Sequence, residues 1–324
     1  SLYYEDCGEG PAVILTPGGR VDCNGLRPMA ALLSPHCRVI IHDRRNCGRS
    51  DVVIGGELSE QHLWAEEMAG LLQQIDAVPA YAAGGSAGSR TSMTLAIRHP
   101  EVVKGLFIWE VSGGPRSAVL MAPGYYGQYI EAAEIGGMAA VGETEFFAQR
   151  IKDNPANEAR LLSMEVDEFL SVMRRWQASF SRPNPVGDLT EEEIKTIKCP
   201  LFMFAGNTPD EVHHVSAAEN AHRLIPHSEI RPSAWTHEEW DVIGQHDHTF
   251  PGIAEFAFDL LQRDRRRRFF EQRKIGLRRS EHLVLRKGGH EFLCIVVFEA
   301  GVSLAGTGAF DRGLARLSNV RQLL

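Results

Sequence analysis

Short apolar runs alternate with longer amphipathic segments along much of the chain. The apolar runs are "AVILTPGG" (12–19), "RVIIHD" (38–43), "AYAAGGS" (80–86), "VKGLFIWE" (103–110) and "CPLFMFAGN" (199–207). Runs of this kind are typical of buried parallel strands. Between them, apolar residues recur at three- and four-residue intervals, as on one face of a helix. The alternation predicts an α/β fold with a doubly wound, mostly parallel sheet.

The alternation stops over residues 114–194, where the apolar periodicity is helical throughout. Successive helices are predicted in "GYYGQYIEAAEIGGMAAV", "ETEFFAQRIKD" and "EVDEFLSVMRRWQASF". We therefore expect an inserted helical cap. After it, "SEIRPSA" (228–234) predicts a last strand and "GIAEFAFDLLQR" a closing helix.

The balance of charge divides the chain near Arg263. Residues 263–324 contain 14 Lys and Arg against 6 Asp and Glu, although the whole chain carries a net charge of −8. This shift predicts an α/β core over 1–262 and a basic C-terminal extension over 263–324. In the extension, "RDRRRRFFEQRKIGLRR" predicts a helix and "EHLVLRKGGHEFLCIVVF" a β-hairpin.

The basic extension bears on the partners of the protein. Clustered arginines are typical of nucleic-acid binding, but a solvated helix face, or docking on the acidic core of the same or a neighbouring subunit, is the simpler interpretation. The edge of the hairpin would then support a homodimer. We therefore do not expect nucleic acid as a partner.

Other features favour a cytoplasmic protein without membrane contact. The sequence has no apolar run of about 18 residues, and "SLYYEDCGEG" lacks the pattern of a secretory signal. The six cysteines are scattered without Cys-x-x-Cys spacing, which favours reduced thiols. A hydrophobic content of 44% suits a chain with a substantial core.

The residues Gly84 to Gly88, "GGSAG", fit the pattern Gly-x-Ser-x-Gly at a predicted strand-to-helix junction. In such a turn the serine backbone is strained, and the residues two before and two after it must be small. The turn would present the Ser86 hydroxyl as a nucleophile above the sheet. It would also aim the first N–H groups of the helix, starting with Ala87, at the space beside that hydroxyl.

A second glycine-rich loop, Pro17-Gly18-Gly19, follows the first apolar run and precedes a helix. In this topology it would supply the other backbone N–H that stabilises an oxyanion. By spacing we assign that N–H to Gly19.

A serine nucleophile needs a histidine that accepts its proton and an acid that orients the histidine. Asp210 is the first carboxylate after its strand, at the sheet edge where ligands bind, and Glu110 is the rival acid. The expected chain order is serine, acid, histidine. His237 follows the last predicted strand directly and is favoured, with His246 and His248 as alternatives.

A histidine-rich region also suggests a metal hydrolase. Its members are His213, His214, His246, Asp247 and His248. The sequence has neither H-E-x-x-H nor a full H-x-H-x-D-H, and the side chains of adjacent histidines would diverge on a helix. We therefore expect no metal and no organic cofactor.

Over roughly residues 1–262, the order of these predicted strands, loops and candidate residues resembles that of the α/β-hydrolase superfamily. The resemblance is carried by "LYYEDCGEGPAVILTPGG", "VIIHDRRNCGRSD", "YAAGGSAGSRTSMTLAIRHPEVVKGLFI" and "CPLFMFAGNTPDEVHHVSAAENAHRLIP". It looks like the serine-dependent branch that carries a cap. The resemblance implies a triad of Ser86, Asp210 and His237 and an oxyanion hole of Gly19 and Ala87. A serine at the nucleophile position disfavours the aspartate chemistry of haloalkane dehalogenases and epoxide hydrolases.

The predicted function is hydrolysis of a small-to-medium, largely apolar carboxylic ester, lactone or related acyl compound through an acyl-enzyme. Apolar residues of the cap would line the pocket, although most of them at helical spacing are expected to pack within the cap. They are Met121, Tyr125, Tyr126, Phe146, Phe147 and Trp176. Two alternatives stay open: a carbon–carbon bond hydrolase with the same triad, and a ligand-binding relative without catalysis.

Overall fold

The computed structural model describes residues 1–206 and 210–232, together with the backbone of two strands at 283–287 and 290–294. The chain divides into two compact units, Ser1–Phe258 and Asp259–Leu324. The closing helix and the domain boundary that the sequence predicts lie outside the described residues.

A seven-stranded sheet forms the centre of the first unit, in the order β1-β3-β2-β4-β5-β6-β7. The strands are β1 (Tyr4–Cys7), β2 (Ala12–Thr16), β3 (Arg38–His42), β4 (Ala80–Gly85), β5 (Val103–Trp109), β6 (Leu201–Phe204) and β7 (Glu229–Arg231). Among the described strands of this sheet, only β1 is antiparallel to its neighbour, so the prediction of a mostly parallel α/β sheet is confirmed. The apolar pattern does not predict β1, because this edge strand is largely exposed and its sequence, "YEDC", is mostly polar.

Helices cover the sheet and fill the connections between its strands. Those that follow β2, β3, β4 and β6 are α1 (Arg27–Leu33), α2 (Glu60–Gln74), α3 (Ala87–Arg98) and α10 (Val215–Leu224). The buried cluster under the sheet joins strand residues such as Ile14 and Leu106 to helix residues such as Met68 and Met93. Among the described residues, every helix falls short of the length or the apolarity that a membrane span requires.

The segment between β5 and β6 is a helical insertion, as the sequence predicts. Its helices are α4 (Gly114–Ala122), a π-helical turn (Pro123–Gly127), α5 (Gln128–Glu143), α6 (Glu145–Asp153), α7 (Ala156–Leu162), α8 (Val166–Phe180) and α9 (Glu191–Ile194). The insertion has its own aromatic core, which includes Tyr129, Phe169 and Trp176. Val52 and Ile54, from the loop after β3, belong to the same cluster and attach the insertion to the first half of the sheet.

The strand order places a crevice where the chain leaves β2 and β4. These two strands are parallel neighbours, but β3 lies on the far side of β2 and β5 on the far side of β4. The connections at their carboxyl ends therefore diverge, which is where ligands bind in open α/β sheets. The loop at 17–19 and the turn at Ser86 both start from this edge.

In the second unit, β8 (Leu283–Lys287) and β9 (His290–Cys294) pair as antiparallel strands. They lie within the segment for which the sequence predicts a hairpin. The rest of the basic extension lies outside the described residues.

Candidate active site

The backbone holds Ser86 in a strained turn at the centre of the sheet. The residue lies between the end of β4 and the start of α3, with φ 52° and ψ −116°. Few residues other than glycine adopt a positive φ, so the surrounding structure must enforce it. The Ser86 N–H donates to the carbonyl oxygens of Trp109 and Glu110, both at 3.2 Å. Ser86 is half-buried, and its hydroxyl stands at the carboxyl end of β4.

The glycines around Ser86 are required by close backbone contacts. A Cβ atom on Gly84 would lie 2.6 Å from the carbonyl oxygen of Thr16. A Cβ atom on Gly88 would lie 2.2 Å from the same oxygen. Both distances are far below van der Waals contact, so any side chain at either position would push α3 away from the end of β2.

The loop at Gly18 and Gly19 lies beside the serine. A Cβ atom on Gly18 would stand 3.4 Å from the Cβ atom of Ser86, and Gly19 has a φ of +43°. Ala87 is the first residue of α3, so its N–H has no partner within the helix. The two backbone segments that the sequence assigns to an oxyanion hole therefore flank the same hydroxyl.

His213 makes the side-chain contact to Ser86. Its Nε2 atom lies 2.8 Å from the Ser86 Oγ atom, and its Nδ1 atom lies 2.6 Å from the Oδ2 atom of Asp210. The three side chains form one hydrogen-bonded series of acid, imidazole and hydroxyl. Such a series can move a proton from the hydroxyl to the ring while the acid fixes the ring orientation.

Asp210 organises the short segment after β6. Its Oδ1 atom accepts hydrogen bonds from the backbone N–H groups of Val212, at 2.8 Å, and His213, at 3.0 Å. Burial alone would raise the pKa of Asp210, but the hydrogen bonds and the charge of His213 outweigh it and lower the pKa to about 2. Asp210 is therefore a carboxylate near neutral pH, as an orienting acid must be.

The structure thus brings two of the three predicted triad residues, Ser86 and Asp210, to the two ends of one hydrogen-bonded series. The predicted histidine, His237, and its alternatives, His246 and His248, lie outside the described residues. From the sequence, His213 is expected only as part of a possible metal site. The spacing of three residues between Asp210 and His213 is the feature of the sequence that could indicate their hydrogen bond, because in a tight turn such a ring reaches back to the carboxylate.

The rival acid, Glu110, is also close to this series. It is buried, has a φ of 48° and directly follows β5, and its own carbonyl oxygen is one of the two that accept from the Ser86 N–H. One ligand atom each from Glu110, Asp210 and His213 lie within 4.8 Å of one another. This group could hold a metal ion, although the contacts of Asp210 and His213 already form the series that ends at Ser86.

Comparisons with known proteins agree with this fold. A family model described as the alpha/beta hydrolase fold matches residues 11–238. The chain is 34% identical over 105 residues to an uncharacterized hydrolase, YraK, of Bacillus subtilis (strain 168), across 32% of this chain and 38% of the relative. It is 31% identical over 106 residues to a 2-hydroxy-6-oxo-6-phenylhexa-2,4-dienoate hydrolase of Comamonas testosteroni, across 31% of this chain and 36% of that protein.

The matches to these two relatives span well under half of their length. Among solved structures, the enol-lactonase from Burkholderia xenovorans LB400 superposes with a TM-score of 0.54 and 20% identity, over 81% of this chain and 96% of that one. At that identity the likeness concerns the fold alone. The family model, in contrast, covers more than half of the chain, and the protein therefore belongs to the family with the alpha/beta hydrolase fold.

Proposed function

We propose that the protein is a serine hydrolase that cleaves a small-to-medium, largely apolar carboxylic ester, lactone or related acyl compound. The observation that carries the proposal is the hydrogen-bonded series from Asp210 through His213 to the Ser86 hydroxyl. The series lies at the crevice between β2 and β4, where open α/β sheets bind ligands.

In the first half of the reaction, the Ser86 oxygen attacks the carbonyl carbon while the imidazole takes the hydroxyl proton. The tetrahedral intermediate collapses, and the imidazolium gives that proton to the departing alcohol oxygen. In the second half, the same imidazole activates a water molecule, which releases the carboxylic acid and regenerates the hydroxyl. Throughout, Asp210 accepts a hydrogen bond from the imidazole and stabilises its charged form.

The developing oxyanion needs donors that are already in place. We assign this role to the N–H groups of Gly19 and Ala87, on the two backbone segments beside Ser86. Removal of one such donor typically costs about 10²- to 10³-fold in kcat.

Two histidines are candidates for the base. The described geometry favours His213, which contacts both Ser86 and Asp210. The chain order of the family favours His237, which follows β7 and falls within the matched residues 11–238. Ser86 and Asp210 have the same roles in either version.

We further propose that the helical insertion caps the site and contributes to substrate selection. Several aromatic residues that the sequence offers for the pocket pack inside the insertion instead, since Tyr126, Phe147 and Trp176 are at most 2% exposed. Tyr125, Phe146 and Met121 are only partly buried. They are the better candidates for substrate contact.

A carbon–carbon bond hydrolase is the second candidate. It is favoured by the similarity to the Comamonas testosteroni protein, whose named substrate carries a ketone. The same serine would attack that ketone, and hydrolysis would then break a carbon–carbon bond.

A fluorophosphonate probe and a panel of p-nitrophenyl esters test the proposal. We expect one probe adduct per chain, mapped to Ser86 by mass spectrometry, and ester turnover that Ser86→Ala abolishes in a folded protein. Ser92→Ala is the matched control, since Ser92 is a buried serine in α3, the helix that starts directly after Ser86, and it should keep both properties. An unlabelled, folded wild type would refute catalysis by Ser86 and favour a binding protein. Labelling of Ser86 without ester turnover would favour the ketone substrate.

A further inference from the structure

Arg44 is a fully buried arginine directly beneath the loop that flanks Ser86. It follows β3 and is 1% exposed. Its guanidinium carbon stacks 4.3 Å from the ring centroid of Trp64, in α2. Trp64 packs in turn against Cys47 and Ala87, the first residue of α3. The guanidinium is thus packed against the same buried cluster that supports the start of α3.

The guanidinium binds the backbone of this loop. Its Nη2 atom donates to the carbonyl oxygen of Gly18 at 3.0 Å and to that of Gly19 at 2.6 Å. In a trans peptide unit the C=O and the following N–H point in opposite directions. Anchoring these two carbonyls therefore aims the N–H groups of Gly19 and Arg20 away from Arg44. Within the described part of the chain, neither of these N–H groups donates to another backbone carbonyl.

The loop requires such an anchor. Gly18 and Gly19 are adjacent, and glycine loses more conformational freedom on ordering than any other residue. Gly18 also lies close enough to Ser86 for a small rotation of the loop to change where its N–H groups point. The hydrogen bonds from Arg44 select one orientation.

The charge of Arg44 is not explained by pairing. Among the described residues it forms no salt bridge, and its Nε and Nη1 atoms are buried without a hydrogen-bond partner. Burial lowers the pKa of Arg44 below its ordinary value. A buried cation without a carboxylate partner reduces stability, so the fold does not gain from this charge by itself. The next residue, Arg45, differs, because it pairs with Glu67 near the surface.

We propose that Arg44 is the positioning residue of the oxyanion hole. It holds the carbonyls of Gly18 and Gly19 so that the Gly19 N–H faces the oxyanion of the tetrahedral intermediate, and its positive charge lies behind the loop. This inference rests on the proposed serine-hydrolase function.

Arg44→Met tests the inference, because it removes both hydrogen bonds and the buried charge but keeps an unbranched stem over Trp64. The substitution also removes the desolvation cost of the buried charge, which offsets the loss of the two hydrogen bonds to the carbonyls. We expect a thermal midpoint close to that of wild type, a fall in kcat of about 10- to 100-fold with little change in KM, and a similar fall in the rate of fluorophosphonate labelling. Arg44→Lys, which restores a donor and the charge, should recover part of the loss. Arg45→Gln is the control in the adjacent position and should keep wild-type kinetics.

The outcomes separate the two proposals. The inference is supported if the wild type is labelled at Ser86, if Arg44→Met has a lower kcat and labelling rate, and if Arg45→Gln has wild-type values of both. Wild-type labelling and kcat in folded Arg44→Met would overturn it and leave the serine-hydrolase function intact. If Arg44→Met fails to fold while Arg44→Lys folds, Arg44→Lys provides the test. A wild-type kcat of Arg44→Lys, together with a wild-type affinity for a boronate analogue of the tetrahedral intermediate, would also overturn the inference. The reason is that one ammonium cannot reproduce the planar guanidinium. A failure of the wild type to label would instead refute the proposed function.

Discussion

The Ser86 Oγ and His213 Nε2 atoms lie 2.8 Å apart, but different kinds of contact hold the two residues in place. Ser86 is held by backbone, with a positive φ, an N–H bound to two carbonyls and glycines packed against Thr16. His213 is held by side-chain contacts, chiefly to Asp210 three residues earlier in the same irregular segment. The His213 and Asp210 side chains are also 15% and 16% exposed.

The position of Ser86 depends on backbone contacts, whereas the position of His213 depends on side-chain hydrogen bonds. The position of the Ser86 hydroxyl is set by the strand order and by backbone contacts that are too close to admit a side chain. The place of the imidazole depends on two hydrogen bonds that a rotation of its side chain would break. An imidazole from another segment could therefore take this place without any change in the sheet, which is why His237 remains a competing prediction.

The sharpest test of this comparison replaces each histidine in turn. If His213 is the base, His213→Asn should lower kcat for a p-nitrophenyl ester by about 10⁴-fold or more, because triad members act as a unit. His237→Asn should then have a small effect. The measurement is the steady-state rate of each purified variant, with circular dichroism to verify folding.

The reverse result would assign the base to His237 and leave His213 as a neighbour of the triad. A small effect of both substitutions, with Ser86→Ala inactive, would contradict an imidazole base at either position. His214→Asn is the control, since His214 is half-buried and its ring bonds within its own turn to Ser216.

The backbone half of the comparison is tested by adding one methyl group. Gly88→Ala places a Cβ atom 2.2 Å from the Thr16 carbonyl oxygen, whereas Gly70→Ala in α2 places one in open space. Overpacking costs about 1–3 kcal/mol, but alanine in a helix gains about 0.8–1.0 kcal/mol over glycine. We expect Gly88→Ala to lower the free energy of unfolding and Gly70→Ala to raise it, by urea titration.

The two substitutions should also differ in activity. Gly88→Ala moves α3 away from β2 and so shifts Ser86 relative to Gly18, which should lower kcat. Equal effects of both substitutions on stability would contradict the close packing that the structure places around Ser86.

The same difference between Ser86 and His213 determines how well the sequence predicts each of them. The turn at Ser86 is predictable because an apolar run, a cluster of glycines and a helical period are contiguous. Asp210 follows from its place after a strand. His213 is not predictable in this way, because adjacent His213 and His214 are equivalent in the sequence, and only the turn around Asp210 selects the first.

Long-range contacts set the remaining limit. Arg44 stands in "HDRRNCG", where two adjacent arginines look alike. One is buried against Trp64 and binds the loop at Gly18, and the other is paired with Glu67 near the surface. Which arginine faces inward depends on where α2 and the first glycine loop lie, and no local pattern encodes this.

The smallest expected effect is the pH dependence of the contact between Asp210 and His213. Because the pKa of Asp210 is lowered to about 2 in the folded protein, from about 3.9 in an unfolded chain, the carboxylate binds its proton less tightly when folded. Its contribution to stability is therefore complete above pH about 4 and is lost as pH falls toward 2. The difference in unfolding free energy between wild type and Asp210→Asn should shrink over that window.

The control for this window is the same pair of measurements in the His213→Asn background. Without the imidazole, the largest of the interactions that lower the Asp210 pKa is removed, and only the bonds from the backbone N–H groups of Val212 and residue 213 remain. The effect of Asp210→Asn should then vary less between pH 4 and pH 2. An undiminished pH dependence in that background would mean that the backbone bonds hold the carboxylate, so that the acid as well as the serine would be fixed by the main chain.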